Sequence, residues 1–421
     1  MDQEIAVGKS PFLTNLFKGD KVIWMIFFFL CAISLIEVYS AASTLTYKSG
    51  NFWTPIVQHA IFLFIGTLVV IGIHNIPCRF FKFYPIFILF ISTFLLFAVL
   101  VGVGVMRNGA ARWLSIFGIP FQPSELAKGG VVIGVALILS AMQTEKGADR
   151  HAFRYIIVLT LFFCGLILPE NFSTAALLFL VVLLMMFIGR IPMIQLGKLL
   201  GVLAILAICA LSLVMITPKE TLAKIPKLHR LTTWKSRLME YSGDHTKRLS
   251  PKDFDIDKNA QIAHAHIAIA TSNVIGKFPG NSVERDFLSQ AFSDFIYAII
   301  IEEMGLIGGT FVILLYLILL FRASRIANRC ERNFPAFLVL GLSLLLVTQA
   351  LVNMCVAVGI LPVTGQPLPL ISKGGTSTLI NCAYIGMILS VSRFAKKREL
   401  ETVLPSSNVI ESSFTDDKGI E

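Results

Sequence analysis

The sequence predicts an all-α polytopic membrane protein with about ten transmembrane helices. Of its 421 residues, 55% are hydrophobic and 15% are charged, which excludes an ordinary soluble domain. Apolar runs of roughly the 20 residues that cross a bilayer recur along the whole chain. They lie at about 22–42, 54–75, 84–104, 124–142, 154–168, 174–190, 199–216, 293–321, 335–359 and 376–392.

The distribution of basic residues predicts the orientation of these spans. Lysine and arginine are concentrated in alternate connections, from 79–82 to 393–398, and such connections face the cytoplasm. Residues 1–21 and 393–421 are therefore predicted to be cytoplasmic tails, the second one disordered, around a membrane domain at 22–392. This bias also explains the net charge of +10, so no nucleic-acid partner is expected.

One connection is much longer than the others. Residues 217–292, between spans seven and eight, are predicted to form a long extracytoplasmic loop, and connections of this length are usually functional or disordered. Within it, IPKLHRLTTWKSRLMEY (225–241) has apolar residues at helical spacing and predicts a helix in the headgroup layer. NAQIAHAHIAIATSNVIG (259–276) predicts a second helix, ending near Gly276.

The segment RNGAARWLSIFGIPFQPSELAKGG (107–130) keeps charges that a purely structural bundle would not need. Glu125 and Lys128 are three residues apart and can pair on one helix face, so this pair could simply neutralise itself. Arg112 and Trp113 precede the span and could be interface anchors. Arg112 together with Lys128 would also offer a cationic site for a phosphate-bearing lipid.

The segment SDFIYAIIIEEMGLIGG places three carboxylates in a predicted span. A charge near the bilayer centre costs roughly 3 kcal/mol, so such a residue normally has a task. Asp294, in the first turn, is favoured by the helix dipole but can also meet a substrate at the rim. Glu302 and Glu303 lie deeper, and we expect them to pair with cations or polar groups as supporting residues. Gly305 and Gly309 predict the close approach of a neighbouring helix.

The segment LPVTGQPLPLISKGGTSTLI, before and into the last span, contains too much proline and glycine for a continuous helix. Irregular backbone is tolerated at membrane depth only where it is buried in protein or lines a wet cavity. Its amides and Lys373 could bind phosphate. The short turn LPENFSTAAL, with Glu170 and Asn171, is predicted to be a polar cap.

Taken in order, NGAARW, FQPSELAK, SDFIYAIIIEE and LPVTGQPLPLISKGG resemble the diagnostic segments of the SEDS family (shape, elongation, division and sporulation). The resemblance covers roughly residues 20–395. It implies a ten-helix glycosyltransferase that polymerises lipid II into peptidoglycan glycan strands at the outer face of the bacterial cytoplasmic membrane. It also implies a class B penicillin-binding protein as partner and, at the division septum, other divisome proteins. By the same resemblance the catalytic residue is Asp294, and the substrate-binding residues include Arg112, Glu125, Lys128, Gly374 and Gly375.

The sequence departs from the family's pattern at several positions. Asn171 and Ser173 stand where an aspartate and a glycine are usual, which puts a ligand role for that turn in doubt. Ser289 and Gln290 stand where a proline and a glutamate commonly precede the catalytic aspartate. Lys373 stands where an aromatic residue is usual. None of these exchanges removes the expected catalytic carboxylate.

The residues also suit the chemistry. Joining two disaccharide units requires a base for the attacking hydroxyl and positive charge, or a metal, for the departing pyrophosphate. Asp294 can supply the base, and Arg112, Lys128 and Lys373 can supply the charge. A divalent cation such as Mg or Mn would also serve, but the sequence has no ligand cluster that establishes one.

Two alternatives to this function stay open. A lipid II flippase would also use membrane carboxylates, although a transporter should have matching broken segments in its two halves. Within the family, overall resemblance favours a septal polymerase of the FtsW type over an elongation polymerase of the RodA type.

Overall fold

A computed structural model describes residues 17–40, 53–107, 110–116, 118–145, 147–216, 260–288 and 292–403. Each of the ten predicted spans is a helix in it, so the predicted all-α membrane architecture is confirmed. In chain order, with a short α8 that precedes the eighth span, the helices are α1 (Lys21–Ser40), α2 (Trp53–His74), α3 (Tyr84–Ala98), α4 (Pro123–Ala141), α5 (Arg150–Ile167), α6 (Phe172–Ile188), α7 (Met193–Ile216), α8 (Ala260–Thr271), α9 (Ile296–Asn328), α10 (Asn333–Ala357) and α11 (Thr376–Val403).

Eight of these helices are long and apolar enough to cross a membrane, while α6 and the segment Met193–Leu206 of α7 are shorter. The chain crosses the bundle back and forth, which gives two ends that we name by their segments. The terminal face comprises residues 75–83, 142–145, 147–150, 189–192 and 329–332. The loop face comprises residues 104–107, 110–116, 118–122, 168–171, 272–288, 292–295 and 358–375.

The centre of the bundle is α4, which packs against α3, α5, α6, α10 and α11. Most of α4, α10 and α11 is buried, whereas α2 and α3 expose many of their apolar side chains at the rim. Phe87, Phe90 and Phe94 of α3, for example, are all exposed. Because a lipid-facing surface is as apolar as a core, these exposed faces are those expected to contact the bilayer.

Helix α9 is interrupted at Gly305, which has φ 71° and ψ −175°. The segment 273–278 lies against this break. Its amides donate to the carbonyls of residues 302–303 at 2.9 and 2.8 Å, and its carbonyls accept from the amides of residues 306–307. At Gly305 the close neighbour is therefore this segment and not a helix of the chain, which corrects the prediction there. At Gly309 the nearest atoms are side chains of α9 itself, and the approach of a helix from a partner protein stays a prediction.

Short strands, absent from the all-α prediction, connect α3 to α4. β1 (Val105–Arg107), β2 (Ala110–Ile116) and β3 (Ile119–Phe121) form an antiparallel sheet in the order β1-β2-β3. This sheet positions Arg112 and Trp113, which the sequence places just before the fourth span. A second pair, β4 (Gln143–Thr144) and β5 (Gly147–Ala148), turns the chain between α4 and α5.

The ends of the membrane domain differ from the predicted boundaries. Helix α11 continues to Val403, so residues 393–403 are helical and not part of a disordered tail. In the long loop, the predicted second helix is α8, which ends at Thr271. The predicted headgroup helix at 225–241, most of the N-terminal tail and residues 404–421 lie outside the described residues.

Candidate functional site at the loop face

The predicted catalytic carboxylate lies beside the predicted phosphate-binding arginine. A Cβ atom built on Gly365 would be 3.6 Å from Nη1 of Arg112 and 3.6 Å from Oδ2 of Asp294. Arg112 comes from strand β2, Asp294 from the turn before α9, and Gly365 from the last loop, which we define as residues 358–375. Three segments that are far apart in sequence therefore border one small space.

The prediction that Asp294 lies in the first turn of α9 is wrong. The helix begins at Ile296, after Phe295 at its N-cap, so Asp294 lies in the preceding turn. That turn is tied down on both sides. Nδ2 of Asn353 in α10 donates to the Asp294 carbonyl at 2.9 Å, and Oγ of Ser372 donates to the Ser293 carbonyl at 2.8 Å.

The last loop carries the irregular backbone that its prolines and glycines predict, and it is anchored to the bundle at several points. Gln349 of α10 donates to the Pro367 carbonyl at 3.0 Å, and Gln366 donates to Thr174 of α6 at 2.7 Å. Tyr316 of α9 donates to the Pro369 carbonyl. Because the loop is held by buried side chains, its free backbone groups can exist at membrane depth.

The Glu125–Lys128 pair is confirmed, with Nζ 2.9 Å from Oε1. Both side chains are closed off from solvent, at 2% and 1% exposure. Lys128 also donates to Oε1 of Gln349 at 2.6 Å, so it connects through that amide to Pro367 in the last loop. Lys128 is therefore linked to the loop that borders the site only through Gln349, while its predicted contact with pyrophosphate stays a prediction.

The residues around Arg112 suit a position at the edge of the membrane domain. Trp113 follows Arg112 in strand β2, so the two side chains point to opposite faces of the sheet. Arg112 lines a narrow crevice with Glu170 and Asn171. Asn171 caps α6, its Oδ1 accepting from the Thr174 amide at 3.2 Å, which confirms the predicted polar cap.

Lys373, Gly374 and Gly375 lie at the end of the last loop. The Lys373 amide donates to the Phe292 carbonyl at 3.0 Å, next to the turn of Asp294. Thr376 donates to the carbonyl of Pro120 in strand β3 at 2.9 Å. The three predicted phosphate-binding residues therefore lie between the Asp294 turn and the sheet that carries Arg112.

The other two carboxylates of the predicted span face a separate buried cluster. Glu302 accepts from Lys277 at 2.7 Å and from Ser282 at 2.5 Å. Glu303 lies 3.6 Å from Nη1 of Arg285 and also accepts from Ser40 of α1. Their predicted pairing with cations and polar groups inside the bundle is confirmed.

This cluster ties segment 277–285 to α1 and α9. Arg285 also donates to the Ser40 carbonyl at 2.5 Å. Glu37, three residues before Ser40 and on the same face of α1, is 1% exposed and belongs to the same buried region. Sequence reasoning missed Glu37, Arg285 and Lys277, although an acidic residue inside the first span was a usable signal.

Among the residues that the structure describes, no group of three or more histidine, cysteine, aspartate or glutamate side chains could hold a metal ion. A catalytic Mg or Mn ion can be held by one or two carboxylates together with substrate phosphates, so the Mg or Mn alternative stays a prediction. The chemistry proposed below uses only side chains of the chain.

Comparisons with known proteins agree with this architecture. The sequence model of a family described as Cell cycle protein, which covers FtsW, RodA and SpoVE, matches residues 20–397. A probable peptidoglycan glycosyltransferase FtsW of Geobacter sp. strain M18 is 29% identical over 379 residues, or 89% of this chain and 96% of that protein. A protein of the same description from Nitrosococcus halophilus strain Nc4 is 31% identical over 353 residues, or 83% of each chain.

A solved structure of a peptidoglycan synthase complex, described as coordinating polymerization and crosslinking, contains a similar chain. The TM-score is 0.69 at 23% identity, with 90% of this chain and 98% of that chain covered. At this identity the similarity establishes the fold. Together with the family match across nearly all of the membrane domain, these findings show that the chain belongs to the FtsW/RodA/SpoVE family of cell cycle proteins.

Proposed function

We propose that this protein is a peptidoglycan glycosyltransferase that polymerises lipid II into glycan strands at its loop face. The observation that carries the proposal is the placement of Asp294 and Arg112 around one space at Gly365. A carboxylate and a guanidinium that border one space are the two groups that the reaction needs. The descriptions of the FtsW relatives as peptidoglycan glycosyltransferases support the same reaction.

In the proposed reaction a sugar hydroxyl attacks the anomeric carbon that bears the lipid pyrophosphate. The new glycosidic C–O bond forms as the bond to the pyrophosphate oxygen breaks, and Asp294 takes the proton of the attacking hydroxyl. Arg112 stabilises the negative charge that develops on the departing pyrophosphate. The proton then leaves Asp294 for water or for the released pyrophosphate.

Other residues of the site hold the substrate or the last loop. Lys373, with the amides near Gly374 and Gly375, offers positive charge and N–H donors for a phosphate. Glu125 and Lys128 act behind this layer, because Lys128 contacts Gln349, which holds the Pro367 carbonyl. These two are proposed as positioning residues as well as predicted substrate contacts.

The same proposal implies an orientation of the protein in the membrane and a set of partners. Basic residues at the terminal face, such as Arg79, Arg150 and Arg332, favour a cytoplasmic position for that face and for both termini. The loop face then meets lipid II outside the cytoplasmic membrane. The similar chain in a peptidoglycan synthase complex supports a class B penicillin-binding protein as partner, together with the nascent glycan strand.

The descriptions of the relatives as FtsW favour a role at the division septum with other divisome proteins. Depletion of the protein followed by microscopy tests this assignment. Filaments with unfinished septa are the expected result, whereas rounded cells would indicate an elongation polymerase instead.

Transfer can be separated from transport in detergent, where no membrane exists for lipid II to cross. The experiment incubates the purified complex with lipid II and a transpeptidase-blocking β-lactam, and resolves glycan strands on a gel. We expect strands from the wild type and a rate lower by on the order of 10²-fold from Arg112→Gln. A stable wild-type complex that makes no strands would contradict the proposed transferase and favour a flippase.

A further inference from the structure

A cavity of about 380 Å³ opens at the terminal face, at the opposite end of the bundle from Asp294. It lies between the 3₁₀ turn Cys78–Lys82, the connection from α9 to α10, and residues 391–395 of α11. Nothing in the proposed reaction uses it. Its charged lining residues are Arg79, Lys82, Arg329, Glu331 and Arg332.

The charge of this lining is strongly unbalanced, with four cations against one carboxylate. In the part of the chain that the structure describes, no ion pair involves Arg79, Lys82 or Arg332. Lys82 instead lies over the ring of Phe334, with Nζ 5.7 Å from the centroid. Converging cations without matching carboxylates create a positive potential that attracts an anion.

The remaining wall of the cavity is apolar. Phe334 and Val391 are buried, and Pro335 and Phe394 complete this side. Burial raises the pKa of the Cys78 thiol to about 12, even though the Lys82 ammonium acts in the opposite direction. A low-dielectric wall of this kind strengthens the attraction between a bound anion and the cations at the rim.

The chemistry of the cavity therefore has two parts, a cationic rim and an apolar wall. The positive-inside bias accounts for basic residues in the connections, but not for their convergence around a cavity between helices. A ligand that joins a phosphate group to hydrocarbon matches both parts. Basic pockets between membrane helices are known as sites for anionic lipid head groups.

We infer that this cavity binds the phosphate group of an anionic phospholipid, with its acyl chains against the adjoining helices. The rim residues Arg79, Lys82 and Arg332 contact the phosphate, and Phe334 and Phe394 border the first part of the chains. This inference does not depend on the proposed transferase activity.

Native mass spectrometry of the purified full-length protein tests this site. The protein in detergent is titrated with phosphatidylglycerol, with phosphatidylcholine and with inorganic phosphate. The test variant is Lys82→Gln/Arg332→Gln, and its matched control is Arg150→Gln/Arg154→Gln. The control removes the same charge from exposed positions at the start of α5, beside the same face and outside the cavity.

We expect the wild type and the control to prefer phosphatidylglycerol, and the Lys82→Gln/Arg332→Gln variant to bind it more weakly by on the order of tenfold or more. Equal binding of both lipids, or an equal loss in the control, would overturn the inference in favour of a general surface effect. Displacement of the lipid by millimolar inorganic phosphate would indicate a free-phosphate site instead.

The acidic tail of the chain is a competing occupant, and a truncation addresses it. Removal of residues 404–421 should leave phosphatidylglycerol binding unchanged. A large gain in binding after truncation would mean that the tail occupies the cavity, and would overturn the lipid assignment. Because Lys82 and Arg332 are exposed, their substitution should leave the protein monodisperse in size-exclusion chromatography. If the double variant aggregates, the single variant Arg79→Gln, at another exposed position of the rim, replaces it.

Discussion

The substitution Gly365→Ala tests whether Arg112 and Asp294 act on one substrate. Gly365 has φ 69°, where an L-residue costs roughly 1–2 kcal/mol. The new methyl carbon would be 3.6 Å from Arg112 and 3.6 Å from Asp294, which is ordinary contact, so the fold has room for it. The methyl group would, however, narrow the space that both side chains border.

A substrate held in that space would be displaced, and a shift of about 1 Å can lower a rate by on the order of 10²-fold. We therefore expect Gly365→Ala to reduce glycan-strand formation by on the order of 10–100-fold, with only a modest fall in the thermal unfolding midpoint. The matched control is Gly280→Ala, because Gly280 has φ 94° and no atom within 4 Å of an added Cβ. Its amide donates to Ser40 of α1, so it carries similar backbone strain beside the Glu303 cluster and not at Gly365.

The assay compares both variants in complex with the partner, by strand formation from lipid II and by thermal unfolding. Similar unfolding midpoints with a selective loss of activity in Gly365→Ala would support a shared site. Equal activity of the two variants would refute a shared site at Gly365, because the added methyl group would then border no substrate.

Three further predictions concern other parts of the molecule. Lys128→Ala leaves buried Glu125 without its cation, which costs roughly 3–5 kcal/mol. The amount of protein in the membrane, measured on immunoblots, should therefore fall, and it should recover when Glu125→Gln is added. Equal levels in all variants would argue against a structural pair. Arg285→Ala should lower the unfolding midpoint, and adding Glu303→Gln should restore it; failure to recover would show that this pairing matters little. Burial raises the pKa of Cys78 to about 12. The rate of its alkylation, followed by mass spectrometry, should therefore rise about tenfold per pH unit between pH 8 and 10. A plateau of this rate near pH 9 would indicate an ordinary thiol.

The helices were predictable because each span carries its own signal. An apolar run of about 20 residues has few alternatives to a membrane helix, so all ten spans appear at their predicted places. Local patterning also predicted the Glu125–Lys128 pair, because three-residue spacing places both side chains on one helix face.

The features that were not predicted from the sequence depend on contacts between distant segments. Gly305 resembles a helix-packing glycine in sequence, yet it interrupts α9 because residues 273–278 supply the hydrogen bonds that the broken helix lacks. No spacing rule indicates which remote segment will fill such a gap. The short strands around Arg112 are likewise set by pairing between neighbours and by the ends of α3 and α4.

The polar network behind the site was visible in sequence but was overlooked. Gln349 and Asn353 are four residues apart in an otherwise apolar span, so they share one face of α10. That face meets the last loop, where these amides hold Pro367 and Gln366, and Asn353 also reaches the Asp294 carbonyl. Buried amides in a membrane span usually have such partners, and their spacing was the available signal.

Asp294 is the base in the proposed transfer reaction, and one paired measurement on Asp294→Asn tests this role. The same purified complex is assayed for lipid II binding and for glycan-strand formation, with Asp286→Asn, at an exposed carboxylate, as the control. We expect lipid II binding within about threefold of the wild type, and a rate of strand formation lower by on the order of 10²–10⁴ for Asp294→Asn alone. Strand formation by Asp294→Asn at the wild-type rate would contradict it.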